Sequence, residues 1–380
     1  MLPRLFDMLI CPICKSSRLK LQQARLHEDE IWSGKILCEG CRQTYPVTGG
    51  IPCMLPTVLL KMQSDADTEE WIQKKKKIEE NIVDENLEKF KFVYKEAARE
   101  NGLSEETDRF IWEKIMHRDN QSLRKSLGTE KASKWVITRD NISKRNERIF
   151  SSIRKFEGSE DSFAGSLALN VGPGIDDDLI DRLNSSGAEV INCDIIPDTL
   201  IELKSQDKGE GISSDLKCLP FAEGMFDMVF CFLVLHHIDP VEQALSEVMR
   251  VLKPGGKVFI LEMNPYTLVK LPGKVLPVSF KRTIRKAMRK YLAGSEQRIF
   301  KSTPYEKIYP GKFIISLMSS EGFYNITKKV VSHYPPFVPR AVAIFWDFLA
   351  RFAPSLFDKI ALEYIFYGKK SGDSRESHRK

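Results

Sequence analysis

The rhythm of hydrophobic and polar positions changes twice along the chain, marking three regions. Residues 1 to about 58 mix short apolar stretches with turn residues, the pattern of short strands. From 64 to 159 the spacing becomes helical. Trp71, Ile78 and Ile82, then Phe90, Val93 and Ala97, recur as an amphipathic helix requires. Asn101-Gly102 ends that run, and Ser104 is placed to cap the next helix. Another helix is expected from Val136 to Lys155, and Lys74-Lys75-Lys76-Lys77 reads as a solvated helix face.

From Ser166 strands and helices alternate. Leu167–Val171, Ala188–Asn192, Phe226–Phe232 and Lys257–Glu262 read as buried strands. Asp176–Leu183 and Val241–Leu252 read as helices, the second ended by Lys253-Pro254-Gly255-Gly256. That alternation predicts an α/β fold with a doubly wound, mostly parallel, Rossmann-like sheet. Phe313 to Phe323 is expected as a further helix, and Asn325–Ser332 as a further strand. The expected organisation is a small unit at 1–58, a helical connector at 64–159, an α/β domain at 160–370 and a disordered polar tail at 371–380.

With 380 residues the chain is long enough for two or three domains. Its 42% hydrophobic and 29% charged residues exclude a collagen, a wholly disordered chain and a disulfide miniprotein. No apolar run approaches the roughly 20 residues of a membrane span. The best candidate, Ala341 to Ala353, is broken by Asp347 and Arg351. Met1 to Asp7 lacks a long apolar core, so no signal peptide is expected and the expected location is cytoplasmic. The net charge of +6 hides an uneven distribution. Residues 160–266 hold 7 Lys/Arg against 19 Asp/Glu, whereas residues 267–380 hold 22 against 8. A basic third of that kind suits a nucleic acid, an anionic membrane surface or an anionic substrate, or is simply a solvated face.

Eight cysteines are present. Cys53, Cys193, Cys218 and Cys231 stand singly among apolar neighbours and are expected to be inert. The other four form Cys11-Pro12-Ile13-Cys14 and Cys38-Glu39-Gly40-Cys41, separated by 23 residues. Two such turns supply four thiolates, which suits a closed, structural, tetrahedral zinc site; a redox pair would need only two. The segments Leu5 to Cys14 and Tyr45 to Pro52 resemble the zinc-ribbon family that activates transfer-RNA and release-factor methyltransferases. That resemblance covers about residues 1–56 and implies a methyltransferase partner, here in the same chain.

Asn170-Val171-Gly172-Pro173-Gly174 follows a strand and opens a helix, where glycines let the backbone approach a ligand. Alone, this is also what an ordinary strand-to-helix turn looks like. Asp194 follows the next strand, placed to accept ribose hydroxyls. Then come Asp215-Leu216-Lys217-Cys218-Leu219-Pro220-Phe221, Phe226-Asp227 with His236-His237-Ile238, and Val251 to Lys257. This ordered set resembles the class I S-adenosylmethionine-dependent methyltransferases, in particular the subgroup with ubiquinone and sugar methyltransferases. The resemblance implies a seven-stranded sheet whose last strand is Tyr364–Lys370. It implies Gly172 and Gly174 under the methionine and ribose, Asp194 on the ribose, Asp215 on the adenine amino group with Leu216 beside the ring, and Phe232 against cofactor and acceptor. Asn170 stands where the family often has an acid, so it would meet the methionine ammonium without opposite charge. Asp176 stands where a third glycine is common. A hydride-transfer enzyme of similar fold would need a Gly-x-Gly-x-x-Gly spacing, which Gly172, Gly174 and Asp178 do not supply.

Methyl transfer from a sulfonium is an in-line displacement, so the enzyme chiefly positions two reactants and excludes water. An oxygen acceptor also calls for a base; His236, His237 and Glu262 are the candidates, each with a structural role as the alternative. Segments 267–305 and 333–361 remain as insertions. The first carries Lys281-Arg282, Arg285-Lys286 and Arg289-Lys290, and the second is rich in Phe, Trp and Ile. Cations beside an aromatic amphipathic segment suit a membrane interface or a lid over a hydrophobic acceptor, and core packing is the alternative. The expected acceptor is a small molecule, amphipathic and lipid-, isoprenoid- or glycan-linked, with peripheral contact to an anionic inner membrane face. The second reading is an RNA or translation-protein methyltransferase, and the third a non-catalytic, methyltransferase-like binding partner.

Overall fold

The computed structural model describes residues 1–60, 65–80, 87–100, 102, 104–130, 132–157, 163–174, 178–266, 304–333 and 340–372. A short helix α1 (Pro3–Asp7) leads into a four-stranded antiparallel sheet of β1 (Leu19–His27), β2 (Glu30–Cys38), β3 (Thr44–Thr48) and β4 (Ile51–Pro52), in that spatial order. Helices α2 (Thr57–Leu60), α3 (Asp65–Glu80), α4 (Leu87–Glu100), α5 (Glu105–Glu130) and α6 (Ala132–Glu157) follow. Then come β5 (Leu167–Val171), α7 (Asp178–Ser185), β6 (Glu189–Asp194), α8 (Pro197–Ser205), β7 (Glu210–Ser213), β8 (Phe226–Phe232), α9 (Val241–Val251) and β9 (Leu252–Met263). Helix α10 (Gly311–Ser320), β10 (Phe323–Ser332), α11 (Arg340–Phe352), α12 (Pro354–Lys359) and β11 (Glu363–Lys370) complete it.

The seven-stranded sheet runs β10-β11-β9-β8-β5-β6-β7. Pairings among β5 to β9 are parallel, and β11 is antiparallel to both β9 and β10. Chain order proceeds outward from β5 to β7 and then returns to β8 on the other side of β5. The switch point therefore lies between β5 and β8, where open α/β sheets bind ligands at the carboxyl ends of their strands.

The ribbon closes the sheet's β7 edge. Cys53 bridges to Ser213 in parallel register, and the Met54 amide donates to the Ser213 carbonyl at 2.7 Å. Leu9 bridges to Phe221, the Ile10 amide donates to the Pro220 carbonyl at 2.9 Å, and Lys15 pairs with Glu247 at 2.8 Å. Leu5, Leu9, Ile36, Tyr45 and Val47 share one buried cluster with Ile212, Leu216, Leu219 and Phe221. Ribbon and sheet thus bury apolar surface against each other, and an edge that could pair with another chain is covered.

Several expectations need correction. Among the described side chains of α4, Tyr94 and Ala98 are buried and the expected Ala97 is partly buried beside them, while Val93 is exposed; Tyr94 donates to the buried Asp108 at 3.0 Å. The lysine run is not uniformly solvated. Lys75 is 5% exposed and its ammonium sits 3.3 Å from the centroid of the Trp112 ring, a cation–π seat that a long apolar stem can reach. Lys253-Pro254-Gly255-Gly256 lies inside β9, with Phe226 pairing with Leu252 ahead of a register shift. Asp176, the basic stripe of 281–290, Phe337, Val338 and the polar tail from 373 lie outside the described residues. Ser104 does cap α5, its hydroxyl accepting from the Thr107 amide at 3.2 Å. In α11, Ile344, Phe345, Phe348 and Phe352 are each more than half exposed, so this face is not core; Trp346 instead packs edge-on to Phe357.

Candidate metal centre and nucleotide-binding cleft

The two Cys-x-x-Cys turns fold alike. The Lys15 amide donates to the Cys11 carbonyl and the Arg42 amide to the Cys38 carbonyl, both at 2.9 Å. The Cys11 amide donates to Ser16 at 2.9 Å and the Cys38 amide to Gln43 at 2.8 Å. Lys15 and Arg42 both take left-handed backbone, φ 57° and 65°, to close these turns. The outcome is four sulfurs within 4.8 Å of one another, with Cys11 and Cys38 buried and Cys14 and Cys41 exposed. A tetrahedron with zinc–sulfur arms of about 2.3 Å has edges of roughly 3.8 Å. Cys11–Cys41 at 3.6 Å and Cys14–Cys38 at 3.5 Å fit it closely. The donor set suits zinc and is closed, so the metal it holds is structural. The remaining cysteines differ. Burial pushes the Cys193 and Cys218 thiols up to about 12, which keeps both protonated and unreactive.

A cleft of about 730 Å³ opens at the switch point. Its floor is made of loops at the carboxyl ends of four parallel strands: Gly172 and Gly174 after β5, Asp194 at the end of β6, Asp215 and Leu216 after β7, Leu233, Val234 and His237 after β8. Gly172 has φ 61°, and a Cβ there would sit 2.0 Å from Val234 Cγ2, so only glycine fits. Asp194 accepts the Ile196 amide at 2.8 Å. Burial pushes its carboxyl up to about 7; the Ile196 amide pulls the other way and the Glu113 carboxylate adds to the rise. Asp215 caps its turn by accepting the Lys217 amide at 2.9 Å.

The roof of this cleft is α5, within the segment read from sequence as a connector. Glu105, Glu106, Arg109, Phe110, Glu113, Met116 and His117 line it, spaced along one helix face. Four contacts pin the helix. Arg109 donates to the His237 carbonyl at 2.8 Å, and Glu113 pairs with the His237 ring at 3.0 Å. His117 bonds Thr199 of α8 at 3.0 Å, and Asp108 accepts the Tyr305 hydroxyl at 2.6 Å. Nothing in the α5 sequence announces this role. The one available signal was the acidic residues Glu105, Glu106 and Glu113 interleaved with Arg109 and His117 on one side of a helix whose Phe110, Ile111, Trp112 and Ile115 pack into a core.

The structure separates the remaining candidates from this cleft. Asn170 and Phe232 line a second, smaller cavity of about 90 Å³ that shares Gly172 and Leu233 with the first, and the Asn170 amide donates to Asn192 at 3.1 Å. His236 and Glu262 line neither cavity. The Glu262 carboxylate accepts the Leu235 amide at 2.8 Å and lies 2.9 Å from His236 Nδ1, all buried, so it fixes the turn after β8. His237 does reach the large cleft. Burial works against its charged form, but Glu113 outweighs burial and raises it to about 9. That favours the imidazolium at neutral pH, a hydrogen-bond donor rather than a base.

Residues 169–260 match the methyltransferase domain family, and residues 3–50 match the Trm112p-like protein family. One polypeptide thus joins a Trm112p-like ribbon to a methyltransferase domain. The chain is 38% identical over 92 residues to the biotin biosynthesis bifunctional protein BioHC of Cellvibrio japonicus, covering 24% of this chain and 18% of that one. It is 30% identical over 147 residues to the ubiquinone/menaquinone biosynthesis C-methyltransferase UbiE of Cereibacter sphaeroides, covering 36% of this chain and 57% of that one. Less than two thirds of either relative's length is spanned. Among solved structures, a Haemonchus contortus phosphoethanolamine N-methyltransferase 2 is 19% identical with a TM-score of 0.39, over 59% of this chain and 52% of that one. A SAM dependent methyltransferase from Archaeoglobus fulgidus is 18% identical with a TM-score of 0.36, over 58% and 99%.

Proposed function

We propose that this chain is an S-adenosylmethionine-dependent methyltransferase acting on a small amphipathic acceptor, with a zinc ribbon that buttresses the catalytic domain in cis. The observation that carries the reading is the cleft at the switch point. Its floor offers, in order, a glycine turn, a half-buried carboxylate and a turn-capping aspartate with an apolar neighbour. That set fits a nucleoside cofactor: backbone approach at Gly172 and Gly174, ribose hydroxyls on Asp194, adenine by Asp215 and Leu216. The bound cofactor supplies an electrophilic methyl group; the chain's residues hold it, align the acceptor and keep water out. A volume of about 730 Å³ is within the roughly 300–1,000 Å³ range of small-molecule sites. Apolar side chains such as Leu59, Phe110, Met116 and Ile238 suit an acceptor with an apolar body. The stretch shared with a quinone C-methyltransferase supports the same acceptor class.

Among the described residues no helix is long and apolar enough to cross a membrane. A lipid-linked acceptor would instead be met at a surface, and the exposed apolar face of α11, with exposed Arg351 on the same helix, is the candidate for anionic lipid. The second reading, an RNA or translation-protein acceptor, is favoured by the Trm112p-like match and the basic third.

Methyl-labelled S-adenosylmethionine, incubated with the protein and fractionated cell extract, tests these readings. Label in lipid or small molecules supports the first; label in RNA or protein overturns it for the second. No label in any fraction, with no cofactor binding in calorimetry, overturns both in favour of a non-catalytic binding partner.

A further inference from the structure

His237 and Glu113 come from different parts of the chain and meet inside the cleft. The ring follows β8; the carboxylate hangs from the roof helix α5. Both side chains are 22% exposed, and His237 Nδ1 lies 3.0 Å from Glu113 Oε1. The Arg109 guanidinium clamps the same residue through its carbonyl at 2.8 Å. Among the described residues nothing takes the hydrogen of the other ring nitrogen, Nε2, in a side chain that lines the cleft.

A histidine braced by a carboxylate admits two readings, a base that takes a proton or a donor that offers one. The surroundings decide. His237 faces Glu113 and Arg109 from α5, His236 and Asp239 from its own loop, Glu262 from β9, Glu306 from the segment before α10 and Asp194 from β6. Carboxylates dominate that set, and they favour the charged ring. Three other acids at the cleft have their own partners. Glu105 pairs with Arg109 at 2.8 Å, Asp239 with Lys307 at 2.5 Å, and Asp215 with the Lys217 amide.

We propose that the Glu113–His237 pair is an oxyanion subsite, in which Nε2–H of His237 donates to an ionised oxygen, carboxylate or phenolate, on an apolar acceptor. This rests on the methyltransferase reading and narrows its acceptor. A charge-assisted hydrogen bond of this kind orients the acceptor beneath the apolar roof of Phe110 and Met116. It also stabilises the oxyanion that the acceptor forms by losing its proton to solvent, so no proton acceptor in the protein is required. Glu113 is a positioning residue: it fixes the ring and its charge from a helix that the floor motifs do not include.

The test uses benzoate and its neutral analogue benzamide, titrated by calorimetry into the full chain with and without S-adenosylhomocysteine. Benzoate is expected to bind at least tenfold tighter than benzamide at pH 7. That preference should vanish in His237→Gln, and in the wild type as pH rises through about 9. In Glu113→Gln it should vanish at a pH at least one unit lower, and Glu113→Asp should restore part of the difference. Equal binding of the two probes, a preference that survives His237→Gln, or one unchanged from pH 7 to 10 would overturn the subsite. Should His237→Gln fail to fold, the pH shift in Glu113→Gln decides alone. Failure to bind S-adenosylhomocysteine would sink the methyltransferase reading, while the benzoate preference without it would still decide the subsite.

Discussion

The floor of the cleft comes from loops at the carboxyl ends of β5 to β8, and its roof from α5, which ends at Glu130, well before β5 begins at Leu167. The floor is built on backbone. Gly172 accepts its place because a side chain would strike Val234, and Asp194 and Asp215 are held by amides two residues on. The roof is built on side chains, through Arg109, Glu113 and His117. A floor fixed by parallel strands is held by the sheet's hydrogen bonds; the roof is held by four polar contacts and by Phe110, Ile111 and Trp112 packed in a separate apolar cluster with Leu59, Ile72 and Ile196. Recognition of a common cofactor suits the first, and choice of an acceptor suits the second.

The largest expected effect falls on what both share. Cys11→Ser with Cys38→Ser removes two buried sulfurs from a cluster continuous with Leu219 and Phe221. Zinc measured by metal analysis should be lost, and stability should drop by several kcal/mol. Full stability with retained zinc would refute the buttress. Next, Phe110→Ala empties a buried position in the roof and should cost about 3–5 kcal/mol in chemical denaturation. If floor and roof are separable, amide exchange should quicken in α5 and stay slow in β5 and β8. Asp194→Ala should weaken S-adenosylmethionine binding by about 10- to 100-fold, or roughly 1.4–2.8 kcal/mol, with α5 unaffected; unchanged binding in calorimetry would sink the ribose assignment.

Two pH effects come from the same two halves and have opposite sense. Asp194 must be ionised to accept ribose hydroxyls and titrates near 7, so cofactor affinity should fall as pH drops below 7, by about tenfold per unit at the limit. His237 is raised from 6.5 to about 9. Its contribution to stability is fully present below pH 6.5 and lost as pH rises through about 9. Comparing wild type with Glu113→Gln in denaturant at pH 6 and 9.5 should reveal a difference on the order of 1–3 kcal/mol at the lower pH only. Equal pH dependence in both would show that the roof contact carries no stability.

The four cysteines, the glycine turn, Asp194, Asp215 and the order of strands were all legible along the chain, since each depends on neighbours within a turn or at a strand end. Local spacing puts Cys11 and Cys14 on one knuckle; strand period puts Asp194 at a carboxyl end. The inward face of α4 was misjudged because the pull on Tyr94 comes from Asp108 on another helix. Lys75 was misjudged because its partner ring belongs to Trp112, 37 positions away. The two histidines show the same division. Adjacent in sequence, their rings stay 4.0 Å apart but take different partners, His236 the buried Glu262 and His237 Glu113 at the cleft. Sequence by itself determined the elements, the paired cysteine turns and the loops that form the cleft floor, because those follow from short-range geometry. Tertiary structure alone decided which helix became the roof and which histidine came to line the cleft, because both depend on contacts contributed by residues distant in the chain.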